Sequence, residues 1–316
     1  MADTDTRQTP AHRYLSAGVT SASESAYAAR ALYYAPPNSF AFTRPAIPVH
    51  RFVAERDRAF ATDAPTGLIA LDLSETLGTP FPCTTPLMLL RYGVIKAGDE
   101  LTTALTSSGE FGYVISGCGQ TVSGNDRITW SQGDAFMLPG GNTTTHTASH
   151  DTRLLLVTNE PQLAYEHTQS PVAGHGAFEA VHYPAEEILH QLDALCATGE
   201  KRNVTSKAVL LTSRMMRAWR TLTPTITVGF NVFEPGDHQR PHRHNAAAAT
   251  LCIRAKPGAY SMIDGVRADW EDGLVMITPP QAVHQHHNES DEPVFALVVQ
   301  DGGLYYHTRA TGFAFV

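Results

Sequence analysis

A chain of 316 residues, 42% of them apolar, is long enough to fold as two compact domains, each burying a core of its own. Lysine and arginine number 23 against 31 aspartates and glutamates, for a net charge of −8. With no basic run, this balance argues against a nucleic-acid or membrane-surface partner and leaves a small molecule as the expected ligand.

No apolar run approaches the roughly 20 residues of a membrane span. The polar stretch Met1 to Ala11 lacks the basic start and apolar core of a secretory signal. Four cysteines, Cys83, Cys118, Cys196 and Cys252, stand far apart without a Cys-x-x-Cys pair. That is the pattern of buried thiols in a reducing compartment, so a cytoplasmic location is expected.

Residues 1–45 mix Ala, Ser, Pro and Tyr and read as an N-terminal arm with a short helix around Ser21 to Leu32. Residues 46–163 read as a first β-domain, with short apolar runs at Leu87 to Ile95, Tyr113 to Ile115, Ala135 to Leu138 and Leu154 to Val157 broken by turn residues. Residues 164–222 read as a helical linker. Pro184 sits at a first helical position, Ile188, Leu189, Leu192, Leu195 and Cys196 keep a helical period, and Gly199 follows as a stop.

Residues 223–316 return to strands, at Ile226 to Phe233, Thr250 to Arg254, Tyr260 to Ile263, Leu274 to Thr278 and Val294 to Gln300. The fold expected is all-β dominated, with two β-barrels in tandem. Gly98, Gly117, Gly133 and Pro139 of the first correspond to Gly236, Gly258, Gly273 and Pro279 of the second, an internal duplication with a period near 140 residues.

The chain carries 15 histidines, and they cluster between His238 and His287. His242 and His244 are two apart, so period-two alternation points both imidazoles to one face of a strand. His284 lies on a second strand and turn downstream. Three neutral imidazoles converging on one point are a good nest for a divalent transition metal.

The spacing Gly236-x5-His242-x-His244 with Gly273-x5-Pro279-x4-His284-x3-Asn288 resembles the paired cupin motifs, over roughly residues 86–310. The resemblance implies two jelly-roll barrels of the cupin type. Where the usual motif has a glutamate ligand, Ala248 and Ala249 stand here, leaving three histidines without a carboxylate.

Pro241-His242-Arg243-His244-Asn245 and His284-Gln285-His286-His287-Asn288-Glu289 look most like the gentisate 1,2-dioxygenase group. That resemblance implies Fe(II), with Mn, Ni or Zn as other candidate ions, and an extradiol-type ring-cleaving dioxygenase acting on a gentisate-like hydroxylated aromatic acid and O2. It also implies assembly as a homodimer or homotetramer.

In that group a histidine two residues after the third ligand contacts the substrate, a position taken here by His286, expected as a catalytic residue; His287 is expected to face the other way. Arg240, Arg243 and Arg254 are candidates for holding a substrate carboxylate. The chain departs from the group in which barrel holds the metal. Counting from Gly98 and Gly133 puts Ala104, Thr106 and Thr144 at the ligand positions of the first barrel, with Glu110 still in register, so that barrel is expected to bind none.

His146 and His150 read as loop residues; Tyr260, Trp270, Gln300, Asp301, Tyr305 and Tyr306 are further candidates for a part in the site, most of them better explained as core and strand ends. Two alternative readings share the fold: a lyase, isomerase or hydrolase whose ion acts only as a Lewis acid, and a small-molecule-binding protein.

Overall fold

A computed structural model of the chain describes residues 19–20, 25–35, 44–197, 207–310 and 312–316. It divides into two units, residues 1–45 and 46–316. In the first, Val19–Thr20 pairs antiparallel with Leu32–Tyr33. The helix expected from Ser21 begins outside the described residues, and within them it reduces to a single 3-10 turn, Ala28–Arg30, with no buried side chain.

The second unit contains both barrels. In one, a six-stranded sheet runs in the order Val181–Tyr183, Ala135–Pro139, Gly109–Ser116, Thr152–Thr158, Leu89–Ile95, Gly67–Ala70. It faces a four-stranded sheet of Glu100–Thr103, Thr144–Ala148, Cys118–Ser123 and Asp126–Ser131. In the other, the six strands are Lys207–Leu211, Thr227–Phe233, Val294–Gln300, Ala248–Arg254, Val275–Thr278 and His50–Arg51. The facing sheet holds Val266–Asp269, Ala259–Ile263, His284–Asn288, His242–His244 and Phe313–Phe315.

Alternation explains how one strand serves two cores. Leu154 and Leu156 enter the first barrel, while Leu155 and Val157 face outward into a core shared by the two six-stranded sheets. Leu297 and Val299 do the same from the second barrel, with Val294 and Ala296 turned inward. Strands buried on both faces read as nearly continuous apolar runs, which is why they were visible in the sequence. Tyr113 meets Phe230 across the shared core with ring centroids 5.5 Å apart, and the Tyr92 hydroxyl donates to the Gly273 carbonyl at 2.6 Å.

The repeated turn glycines have a physical cause. Gly98, Gly117 and Gly133, and their counterparts Gly236, Gly258 and Gly273, all adopt positive φ, between 73° and 99°, where a Cβ is strained.

The boundaries at 163 and 222 do not separate two closed barrels. His50–Arg51, ahead of the first barrel, pairs with Ile277 and Met276 at the edge of the second. Arg51 and Arg56 fasten the same segment to Glu271 at 2.5 and 2.7 Å. Within 164–222 the helix Ala185–Ala197 is flanked by strands that extend one sheet of each barrel, Val181–Tyr183 and Lys207–Leu211. The stop at Gly199 lies outside the described residues.

Candidate metal centre

His242 and His244 occupy a three-residue strand whose burial alternates buried, exposed, buried. His284 opens the neighbouring strand and pairs directly with His242. One ring nitrogen from each lies within 4.8 Å of the others, and all three residues are buried. Ring centroids stand 4.2 Å apart for His242 and His284 and 4.6 Å apart for His244 and His284.

The backbone decides which nitrogen is presented. The Nδ1 atoms of His242, His244 and His284 lie 3.1, 2.8 and 2.9 Å from the carbonyl oxygens of Arg240, Ala246 and Ala282. A carbonyl only accepts, so each Nδ1 carries the proton and donates, leaving a lone pair on Nε2. Burial, reinforced by the neighbouring imidazoles, holds His284 down to about 2 and His244 to about 4. All three are therefore neutral donors near pH 7, a set that fits a divalent transition ion. The Gln300 amide nitrogen lies 3.2 Å from His244 Nε2, against the point where such an ion would sit.

His286 belongs to the same wall but is wired differently. Trp270 Nε1 donates to Ser261 Oγ at 2.8 Å, and that hydroxyl lies 2.7 Å from His286 Nδ1. With the tryptophan donating, the hydroxyl proton goes to Nδ1, because the other neighbour, Met276 Sδ at 3.6 Å, is a weak acceptor. His286 then carries its proton on Nε2. The ligands present lone pairs; His286 presents a donor.

The first barrel repeats the relay, with Trp130 Nε1 to Thr121 Oγ1 at 2.8 Å and Thr121 Oγ1 to His146 Nδ1 at 2.7 Å. Ser261→Ala is expected to cost about 1–3 kcal/mol by stranding the buried indole N–H. Ser261→Thr should retain most of the stability, since threonine holds the same place in the first barrel. Urea denaturation of the two variants checks this.

These four imidazoles line a cavity of about 330 Å³. Ala248 gives it a small apolar wall, joined by Val298 and by Phe313, which stacks on His242 at 5.2 Å. The three arginines are not brought to it. Arg243 is the exposed middle residue between His242 and His244. Arg254 follows a β-bulge, donates to the Pro293 carbonyl at 2.9 and 2.6 Å, and lies over Phe295. Arg240 is exposed and sits 4.3 Å from the Phe315 ring centroid. His287 faces the opposite side, stacked on Tyr260 and paired with His238 through their Nδ1 atoms at 2.8 Å.

Residues 229–300 match the cupin domain family. The salicylate 1,2-dioxygenase of Pseudaminobacter salicylatoxidans superposes with a TM-score of 0.72 at 14% identity, covering 89% of this chain and 93% of that one. The 1-hydroxy-2-naphthoate 1,2-dioxygenase of a Nocardioides species is 38% identical over 82 residues, 26% of this chain and 21% of the relative. Gentisate 1,2-dioxygenase 1 of Aquipseudomonas alcaligenes is 28% identical over 110 residues, 35% and 30% of the two chains. The fold is that of a bicupin, and parts of the chain are similar in sequence to gentisate 1,2-dioxygenases. The chain spans less than a third of the length of these two curated relatives.

The bicupin's first barrel corrects two expectations. Strand pairing matches Thr103 with Thr144, as His242 pairs with His284, so Thr103 and not Ala104 is the counterpart of His242. The turn after Gly98 is one residue shorter than the one after Gly236. His146 is no loop residue. It is fully buried on the strand Thr144–Ala148, with Nε2 3.4 Å from a carboxylate oxygen of buried Glu110. His150 does lie at the surface, beside Ser149 and Cys118.

Gln300 and Tyr306, for which the sequence left a part in the site open, line the bicupin's cavity, as does Phe313, which the sequence did not single out. Asp301 ties the site's supporting loop to the other barrel. Its carboxyl accepts from Ala247 N at 2.8 Å and from Thr85 Oγ1 at 3.0 Å. Burial pushes it up to about 6, above the ~3.9 of an unfolded aspartate. A raised folded-state value contributes stability that is complete below pH ~4 and lost as pH rises through about 6. Asp301→Asn is expected to flatten the apo protein's stability over that window by about 3 kcal/mol, read from chemical denaturation at a series of pH values.

Proposed function

We propose that the bicupin is a metal-dependent ring-cleaving dioxygenase acting on a small hydroxylated aromatic acid. The observation that carries this is the triad itself, three imidazoles with their Nδ1 protons committed to backbone carbonyls and their Nε2 lone pairs converging in a cavity to which the described residues bring no carboxylate. The relatives' names support the same class of reaction.

His242, His244 and His284 would hold the ion, which we take to be Fe(II). When bound, it supplies two-point chelation of the substrate's oxygens and a place to activate O2. The apolar side of the cavity, Ala248, Val298 and Phe313, receives the ring and sheds water from it. His286, held by Ser261 and Trp270, donates a hydrogen bond from Nε2 to a substrate oxygen and steadies the charge that develops there as the ring opens. Opening occurs beside the hydroxyl-bearing carbon, the extradiol-type cleavage.

The reading includes a cytoplasmic homodimer or homotetramer. The location is supported by four cysteines that are all free and the assembly by resemblance to the group. The test is anaerobic loading with Fe(II), a metal count, and oxygen uptake against gentisate, salicylate, aminosalicylate and hydroxynaphthoate. Oxygen consumption that depends on one of these acids is the expected result. Bound iron with no uptake on any of them overturns the dioxygenase in favour of redox-neutral chemistry, and no bound metal overturns the site.

A further inference from the structure

The cavity's lining, among the described residues, contains neither lysine nor arginine, and neither aspartate nor glutamate. Its polar groups are neutral amides and hydroxyls, those of Asn231, Gln239, Gln300, Tyr306 and three threonines, together with the imidazoles. The cations on the strands and loops that build the cavity are turned away from it. Lys207 begins the strand that gives Ala208 and Leu210 to the cavity, and its ammonium binds Glu234 and Asp237 on the other face. Arg243 is exposed by alternation, and Arg254 and Arg240 rest on Phe295 and Phe315.

A buried carboxylate or sulfonate without a cationic partner is expelled, because neutral dipoles recover only part of its hydration. At the triad the balance differs: three neutral ligands leave a divalent ion its full charge, enough to neutralise two anionic oxygens.

Resting on the metal-site reading above, we propose that this cavity selects substrates whose whole negative charge lies on the two chelating oxygens, with a neutral remainder that is read by amides and hydroxyls. The substrate class is an ortho-hydroxy aromatic acid with uncharged ring substituents. A second acidic group across the ring is rejected because of its charge, not its size. Recognition is therefore insensitive to salt, which would screen an arginine clamp.

The test uses the iron-loaded full chain under argon and reads binding by calorimetry, with the metal count taken first. The probes are salicylate, salicylate bearing a ring sulfonate para to the hydroxyl, and the sulfonamide of the same shape. The sulfonamide is expected to bind within about fivefold of salicylate, and the sulfonate at least about 100-fold more weakly than the sulfonamide. Salicylate affinity is expected to change less than about twofold between roughly 50 and 500 mM salt. Equal binding of sulfonate and sulfonamide, equal rejection of both, or a steep salt dependence overturns the proposal. If iron does not bind, or binds without taking up salicylate, the metal-site reading fails instead, so the two failures are distinguishable.

Discussion

Changing His284 to alanine will remove the metal while leaving the fold in place. Among the described residues the site has three protein donors, all neutral, so losing one leaves a two-point chelate with no carboxylate to compensate. Losing a partner that merely orients a ligand typically costs 10–100-fold in metal affinity, so losing the ligand itself is expected to cost more than about a hundredfold. The cost in stability is expected to be small. His284 faces a cavity, and burial already disfavours its charged form, holding it down to about 2. Metal analysis after gel filtration, paired with thermal melting of the apo proteins, checks both halves. Stoichiometric iron in the variant would remove His284 from the site.

His286→Ala is the complementary case, in which metal is retained and turnover is lost. Its Nδ1 is committed to Ser261, and its ring is not one of the three grouped around the candidate ion position. Burial holds it down to about 3, so it works as a neutral donor through Nε2 across the neutral pH range. Removing a positioned hydrogen-bond donor to developing charge typically costs ~10²–10³-fold in rate. The expected signature is a kcat lowered by that order, with an unchanged iron count and substrate affinity changed by less than about tenfold. Loss of iron in His286→Ala would mean that it serves the ligands and not the substrate.

The parts of this molecule legible in the sequence were those with a period. Two-faced strands such as Leu154 to Val157 showed as apolar runs, the duplication showed in glycines that the backbone requires at positive φ, and His242-x-His244 showed one face of a strand. The same alternation also held the argument against Arg243, since the residue between two inward histidines points outward.

What escaped was local and unpatterned. Thr144–Ala148 is a strand of mostly polar residues, so its buried histidine passed for a loop residue. A β-bulge between Cys252 and Arg254 shifts register at the strand's end. Gln300 and Phe313 reach the cavity from strands far along the chain, and no spacing rule connects them to the triad. The two-residue strand His50–Arg51 has no apolar signature at all.

That small strand bears on how such a chain can change over generations. The second barrel takes an edge strand from residues that precede the first barrel, so the halves of the duplication are interleaved and not strung in series. Deleting the first barrel would force the leading segment to find a new route to the sheet it completes, and encoding the barrels as separate polypeptides would leave the second with an unpaired edge. The first barrel, in which no such histidine group is found among the described residues, is in this way bound to its neighbour's architecture. Its interior residues, Glu110 and His146 among them, are free to drift toward structural roles, while the connection around them stays fixed.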